Sequence, residues 1–181
     1  MVVIEDKLRN IYNQLLTLLP QFEHICVTRL NSLPSRINKM VVGENKVSDF
    51  VDKSIQEVTE SDLTDVTTIG DSAFSACTSL TSITIPDSVT SIGNSAFFGC
   101  TSLTSITIPI NVTSMGVLVF YNCTSLTDIY LRPIAPPTLG NTEAIPSTTA
   151  IHVPVGSGDT YKSATNWSSF ASNIIEDIVI E

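Results

Sequence analysis

Apolar and polar positions alternate in the same order three times across the middle of the chain, at a period of 23 residues. The copies are VTTIGDSAFSACTSLTSITIPDS from Val66, VTSIGNSAFFGCTSLTSITIPIN from Val89 and VTSMGVLVFYNCTSLTDIYLRPI from Val112. The apolar columns are Val66/Val89/Val112, Ile69/Ile92/Met115, Phe74/Phe97/Phe120, Cys77/Cys100/Cys123, Leu80/Leu103/Leu126, Ile83/Ile106/Ile129 and Ile85/Ile108/Leu131. A fixed period of this length means a solenoid, in which each unit buries its apolar face only against its neighbours. The columns are therefore the predicted core.

Within a unit, Leu80 to Ile85 ends in period-2 alternation and is closed by Pro86. That predicts a short strand with Ile83 and Ile85 inward and Ser82 and Thr84 outward. Stacked in parallel, these strands form a sheet on one face. Its outward positions line up as Ser82, Ser105 and Asp128 beside Thr84, Thr107 and Tyr130. Gly70 and Asp71 predict a turn and a helix cap, after which Phe74 and Cys77, three apart, share one face of a short helical turn. Asn94 repeats the cap and Val117 does not, so the third unit is expected to be the most loosely specified.

The pattern L-x-x-I-x-I-P followed by V-T-x-I-G-x-x-A-F-x-x-C-T-S-L closely resembles the BspA-type leucine-rich repeat. The resemblance covers about residues 55 to 175, with a half-formed first unit at Ile55, Val58 and Leu63 and one more strand at 150–154. It implies a closing helix in GSGDTYKSATNWSSFASNI, whose Tyr161, Trp167, Phe170 and Ile174 would cover the last coil. Such caps are needed because a bare solenoid end exposes apolar surface and strand edges. The DFVDKSIQEV stretch before the repeats resembles the lead-in of repeat proteins from gut bacteriophages and their hosts.

Ahead of the repeats, Ile4, Leu8, Ile11, Leu15 and Leu18 are spaced 4-3-4-3, as in a coiled-coil seam, and Pro20 ends the series. Leu in one column and mostly Ile in the other favours more than two strands, so a homotrimer is one reading. An amphipathic helix docked on its own domain is the other. A second apolar series, Leu30, Leu33, Ile37 and Met40, predicts a helix from near Ser32 or Pro34, and Ser48 starts a brief one through Val51. The resulting organisation is a helical segment over 1–45 for oligomerisation or docking and a short helix with the first cap over 46–65. Three repeats follow over 66–134, then a final strand and capping helix over 135–181. The fold class is an α/β solenoid: a short leucine-rich-repeat array preceded by an α-helical segment.

Charge narrows the partners. Net charge is −9, and residues 66–181 hold only Arg132 and Lys162 as cations. No basic stripe for phosphates exists, which argues against nucleic acid. No segment reaches membrane-span length, and Glu5, Asp6, Lys7 and Arg9 interrupt the start where a secretory leader needs an apolar run. No export route or membrane insertion is therefore expected for the chain as given.

Catalytic chemistry has no positive signal. The serines lack a nucleophile-elbow motif and the glycines are solitary turn residues. Cys77, Cys100 and Cys123 sit at one column about 5 Å apart by strand spacing, a distance compatible with a disulfide. Their place on the apolar face favours small buried filler. They form no CxxC pair with histidine at matching spacing, so no metal or cofactor is expected. Of the two histidines, His24 and His152, the latter alternates with inward Ile151 and Val153 and should point outward. Asn111, Asn122 and Asn166 match the glycan acceptor pattern, which arises readily by chance in a chain rich in Ser and Thr.

These readings point to a non-enzymatic protein. One function is a virion structural or receptor-binding component, a phage tail or fibre accessory. Its N-terminal helices would self-associate or dock to other virion proteins, and its repeats would meet a host surface protein or glycan. The alternative is a BspA-like adhesin or host-interaction module, at the bacterial cell surface or secreted. In either case Ser82, Thr84, Ser105, Thr107, Asp128 and Tyr130 are the candidate ligand-binding residues, with Tyr130 the aromatic anchor. The same columns can equally be an inert solvated face.

Overall fold

The computed structural model describes residues 25–26, 41–42, 46–47, 55–63 and 65–179. The heptad series from Ile4 to Leu18, the series from Leu30 to Met40, the helix expected from Ser48, and His24 lie outside the described residues.

Each coil contributes two strands to two parallel sheets, where the alternation predicted one. The first sheet follows the V-T-x-I element through β5 (Thr68–Ile69), β7 (Ser91–Ile92), β9 (Ser114–Met115) and β11 (Thr138–Leu139), each pairing in parallel with the next. It continues back through β3 (Lys46–Val47), parallel to β5, then antiparallel to β2 (Val41–Val42) and β1 (Ile25–Cys26). The all-helical expectation for 1–45 therefore does not hold at these residues. β-branched Ile25, Val41, Val42 and Val47 suit extended backbone, and pairing them there covers the edge that β5 would otherwise expose.

The second strand series follows the predicted S-I-T-I element and divides into two sheets. β4 (Glu57–Val58) pairs in parallel with β6 (Ser82–Ile83). β8 (Ser105–Ile108), β10 (Asp128–Leu131), β12 (Ala150–Pro154) and β13 (Ile174–Ile178) form a four-stranded parallel sheet. In register, Ile106 faces Ile129, which faces Ile151. β12 occupies the position the 22-residue offset predicted, while β13 replaces the end of the expected capping helix.

The segment read as a helical turn is not helical. Its residues form successive turns, with Ser72, Ser95 and Leu118 at φ 53 to 55° and Ala76, Gly99 and Asn122 at φ 58 to 70°. The three-residue spacing of Phe74 and Cys77 suits this path equally well, because what positions it is bonding between coils. The N–H groups of Ser72, Phe74 and Ala76 donate to the carbonyls of Asn94, Ala96 and Phe98 in the next coil. Asp71 and Asn94 are also not helix caps: their side-chain oxygens accept the backbone N–H of Asn94 and Val117, one coil on, at 2.8 and 2.9 Å. The third unit keeps the same left-handed positions at Leu118 and Asn122, so it is as regular as the others despite its divergent sequence.

Close approach at this corner dictates the glycine. A Cβ on Gly93 would meet the backbone nitrogen of Asp71 at 2.6 Å and the carbonyl carbon of Gly70 at 2.7 Å. Backbone atoms cannot step aside, so the column needs glycine for space.

Every predicted core column is buried, as are Ile55, Val58 and Leu63 of the half unit. A further column, Ala73/Ala96/Val119, joins them at 0% exposure. Phe74, Phe97 and Phe120 stack as a continuous ladder with centroids 5.2 and 5.4 Å apart. At the far end, a short helix α1 (Gly158–Ser163) and a 3₁₀ segment (Trp167–Asn173) close the core with Tyr161, Trp167 and Phe170. Their polar tips are satisfied by the preceding loop: Tyr161 Oη donates to the Pro133 carbonyl and Trp167 Nε1 to that of Pro137, both at 2.7 Å.

Candidate recognition surface

The outward side of the four-stranded sheet gathers part of the predicted site. Ser105 lies opposite Asp128, and Thr107 opposite Tyr130, in adjacent parallel strands. Ser105, Thr107 and Tyr130 are exposed, and Asp128 is half-buried. Ser82 and Thr84 are exposed too, but Ser82 belongs to the β4–β6 sheet and Thr84 follows it, so strand pairing does not bring them into the Ser105–Tyr130 group.

The chain's abundant hydroxyls have a second use. Thr81 and Thr127 donate to the carbonyls of Gln56 and Thr104 in the preceding coil, at 2.9 and 3.1 Å. Thr90 and Thr113 do the same to Thr67 and Thr90, both at 3.3 Å. Much of the Ser and Thr content thus ties coil to coil, which leaves the S-x-T columns of the strands as the displayed hydroxyls.

Sequence alone missed the polar centre of this face. His152 does sit on the outward side of β12, but it is held between two carboxylates: Nε2 to Asp128 Oδ1 at 3.0 Å and Nδ1 to Asp177 Oδ2 at 2.7 Å. Its ring also stacks on Tyr130 at 4.4 Å. With a carboxylate on each nitrogen, both nitrogens donate only when the ring is protonated. Burial works against that charge, but the hydrogen bonds to Asp128 and Asp177 and their two negative charges outweigh it and raise the His152 pKa. The Thr127 hydroxyl, then His152, hold the Asp128 carboxyl below its ordinary value. The network joins β10, β12 and the closing strand β13, and it fixes the Tyr130 ring from one side. Asp128 was read as a ligand contact; its oxygens are instead occupied by Thr127 and His152. At the sheet's margin, Arg132 pairs with Asp87 at 2.9 Å, across two coils.

The cysteine column is buried and free of disulfides. The Cys100 and Cys123 thiols donate to the Phe74 and Phe97 carbonyls of the preceding coil at 3.1 and 3.0 Å. The neighbouring Cys123 thiol and burial together push the Cys100 thiol well above its ordinary pKa, so it is an inert core group. Among the described residues, no group of three or more His, Cys, Asp or Glu could hold a metal ion, and no helix is long and apolar enough to cross a membrane.

Comparison with known families decides the classification. The BspA type leucine rich repeat region matches residues 46–140 in six copies, more than half of the chain. This chain belongs to the BspA-type leucine-rich-repeat family. Its members' repeats supply the ladders described above, and the match begins at β3, before the first full 23-residue unit. Similar solved structures include a leucine-rich repeat protein from Bacteroides ovatus, at 25% identity and a TM-score of 0.49 over 71% of this chain and 31% of that one. The leucine-rich repeat protein of T. pallidum is 28% identical with a TM-score of 0.43, over 56% of this chain and 54% of that one. The pneumococcal vaccine antigen PcpA is 18% identical with a TM-score of 0.43, over 77% and 40%. The chain thus spans 31 to 54% of the length of these proteins. No curated protein matches the sequence.

Proposed function

We propose that this chain is a non-enzymatic recognition module that binds a protein or glycan surface across the outward face of the four-stranded sheet. The observation that carries it is the ordered, partly exposed Tyr130 ring. It is 36% exposed, stacked on a clamped His152 and flanked by the exposed hydroxyls of Ser105 and Thr107. An aromatic ring held rigid before binding loses little conformational entropy on contact, which is the property of an anchor residue. Membership of a repeat family generally built for binding supports the same reading.

We further propose display on a virion, as a tail or fibre accessory whose N-terminal segment self-associates or docks on other virion proteins. Display at a bacterial surface, as an adhesin or host-interaction module, uses the same face. Mass spectrometry of purified particles beside surface-shaved cells separates the two. Finding the protein in particles supports the virion; peptides released only from cell surfaces overturn it. For assembly, light scattering of the full chain should give about three times the monomer mass, and Leu8→Glu with Leu15→Glu should reduce it to one. A monomeric parent chain would end the trimer reading.

A further inference from the structure

A second aromatic column runs along the turn side of the coils, where Phe98 stacks on Tyr121 with centroids 5.6 Å apart. Unlike the buried Phe ladder, this column stops in a polar setting. Pro136, Pro137 and Pro146 reshape the next coil, so that Phe120 N–H reaches the Ala144 carbonyl 24 residues on, where the preceding coils use 22. Among the described residues no ring stacks on the other side of Tyr121, which is 45% exposed. A cavity of about 300 Å³ opens beside it, lined also by Asn122, Thr142, Glu143, Pro146 and Ser147. The loop that walls the cavity is anchored, since Asn173 Nδ2 donates to the carbonyls of Ser147 and Thr149, both at 2.9 Å.

We infer that this cavity is a carbohydrate subsite that seats one pyranose ring against Tyr121. The chemistry is that of a ligand with one apolar face and a rim of hydroxyls. The C–H face of a sugar lies on an aromatic ring, while carboxylate, amide and hydroxyl groups around it exchange hydrogen bonds with the rim. Glu143 supplies a carboxylate acceptor, Asn122 both donors and an acceptor, and Thr142 and Ser147 hydroxyls. A cationic side chain would use the ring and Glu143 but leave the neutral groups without a role, so the lining favours a neutral sugar. The site is separate from the sheet face and does not rest on that reading.

The test is a ¹⁵N-resolved NMR titration of the full chain with methyl glucoside, methyl galactoside and N-acetylglucosamine, with arginine methyl ester as the cationic control. The expected result is saturable shifts confined to residues 121–124 and 142–147 with at least one sugar. Binding should fall at least tenfold in Tyr121→Ala and, separately, in the exposed-loop variant Glu143→Gln, while Tyr130→Ala binds as the parent does. Absence of saturable shifts with all three sugars, shifts centred elsewhere, or binding of arginine methyl ester alone would overturn it. Glu143→Gln lies outside the core, so it keeps the test decisive if Tyr121→Ala lowers stability.

Discussion

Phe97→Ala removes the middle ring of the buried ladder. Phe97 has no exposed surface and stacks on both sides, at 5.2 Å on Phe74 and 5.4 Å on Phe120. Truncating a buried Phe costs about 3–5 kcal/mol, and each aromatic pair contributes about 0.5–1.5 kcal/mol beyond burial. Phe97 loses two pairs and Phe74 one, so the substitution in the middle should cost about 1 kcal/mol more. Against a typical stability of about 5–15 kcal/mol, either loss is a large fraction. For a chain of this size a loss of about 4 kcal/mol lowers the melting temperature by about 10 °C, and the extra pair by a further 2–4 °C. Paired urea and thermal unfolding of the parent, Phe74→Ala and Phe97→Ala, followed by circular dichroism, reads both quantities. Equal costs for the two, or a cost below about 2 kcal/mol for Phe97, would refute the continuous ladder.

The remaining predictions concern the corners and the histidine. Gly93→Ala forces a Cβ onto the Asp71 and Gly70 backbone, so it should destabilise by more than the 1–2 kcal/mol of an ordinary surface change, seen as a lower urea midpoint. Ala76 holds φ 58° where the next coil has Gly99 at φ 70°, so Ala76→Gly should stabilise by about 1 kcal/mol, read in the same assay. The His152 pKa is raised on folding, so its contribution is complete below about pH 6.5 and is lost as pH rises through the higher folded value. The lowered Asp128 works at the other end: its contribution is present above about pH 4 and is lost as pH falls through its folded value. Melting temperature should therefore peak between those limits, and His152→Phe should flatten the decline above pH 6.5. Because both carboxylates are partly exposed, the effect should stay near or below about 1 kcal/mol.

The repeat columns were legible because burial leaves a mark at every period: an inward position must be apolar in each copy. The same period located β12 and the Tyr130 column. What the pattern could not show is which local path joins the columns. Val66 and Ile69, and Phe74 and Cys77, are both three apart, a spacing that helical turns and the observed strands and turns satisfy alike. Inter-coil hydrogen bonds decide between them, and they join residues 22 to 26 apart. The Asp71 and Asn94 brackets had a sequence signal, since two side chains with the same acceptor recur one period apart. His152 and Asp177 had none: they lie outside the repeats, 25 residues apart, and meet only because β13 adds a strand whose IIEDI sequence lacks clean alternation.

The most direct test of the recognition claim is a binding screen of the labelled full chain on bacterial cells and a glycan array. Parent and a Thr107→Ala, Tyr130→Ala double variant with matched circular dichroism and melting temperature would be compared. Loss of an anchor contact of about 1.4 kcal/mol or more corresponds to at least a tenfold fall in affinity for whatever target the parent binds. A fall of that size, with the fold intact, is the predicted result. A parent target bound equally well by the double variant would contradict the assignment of the sheet face.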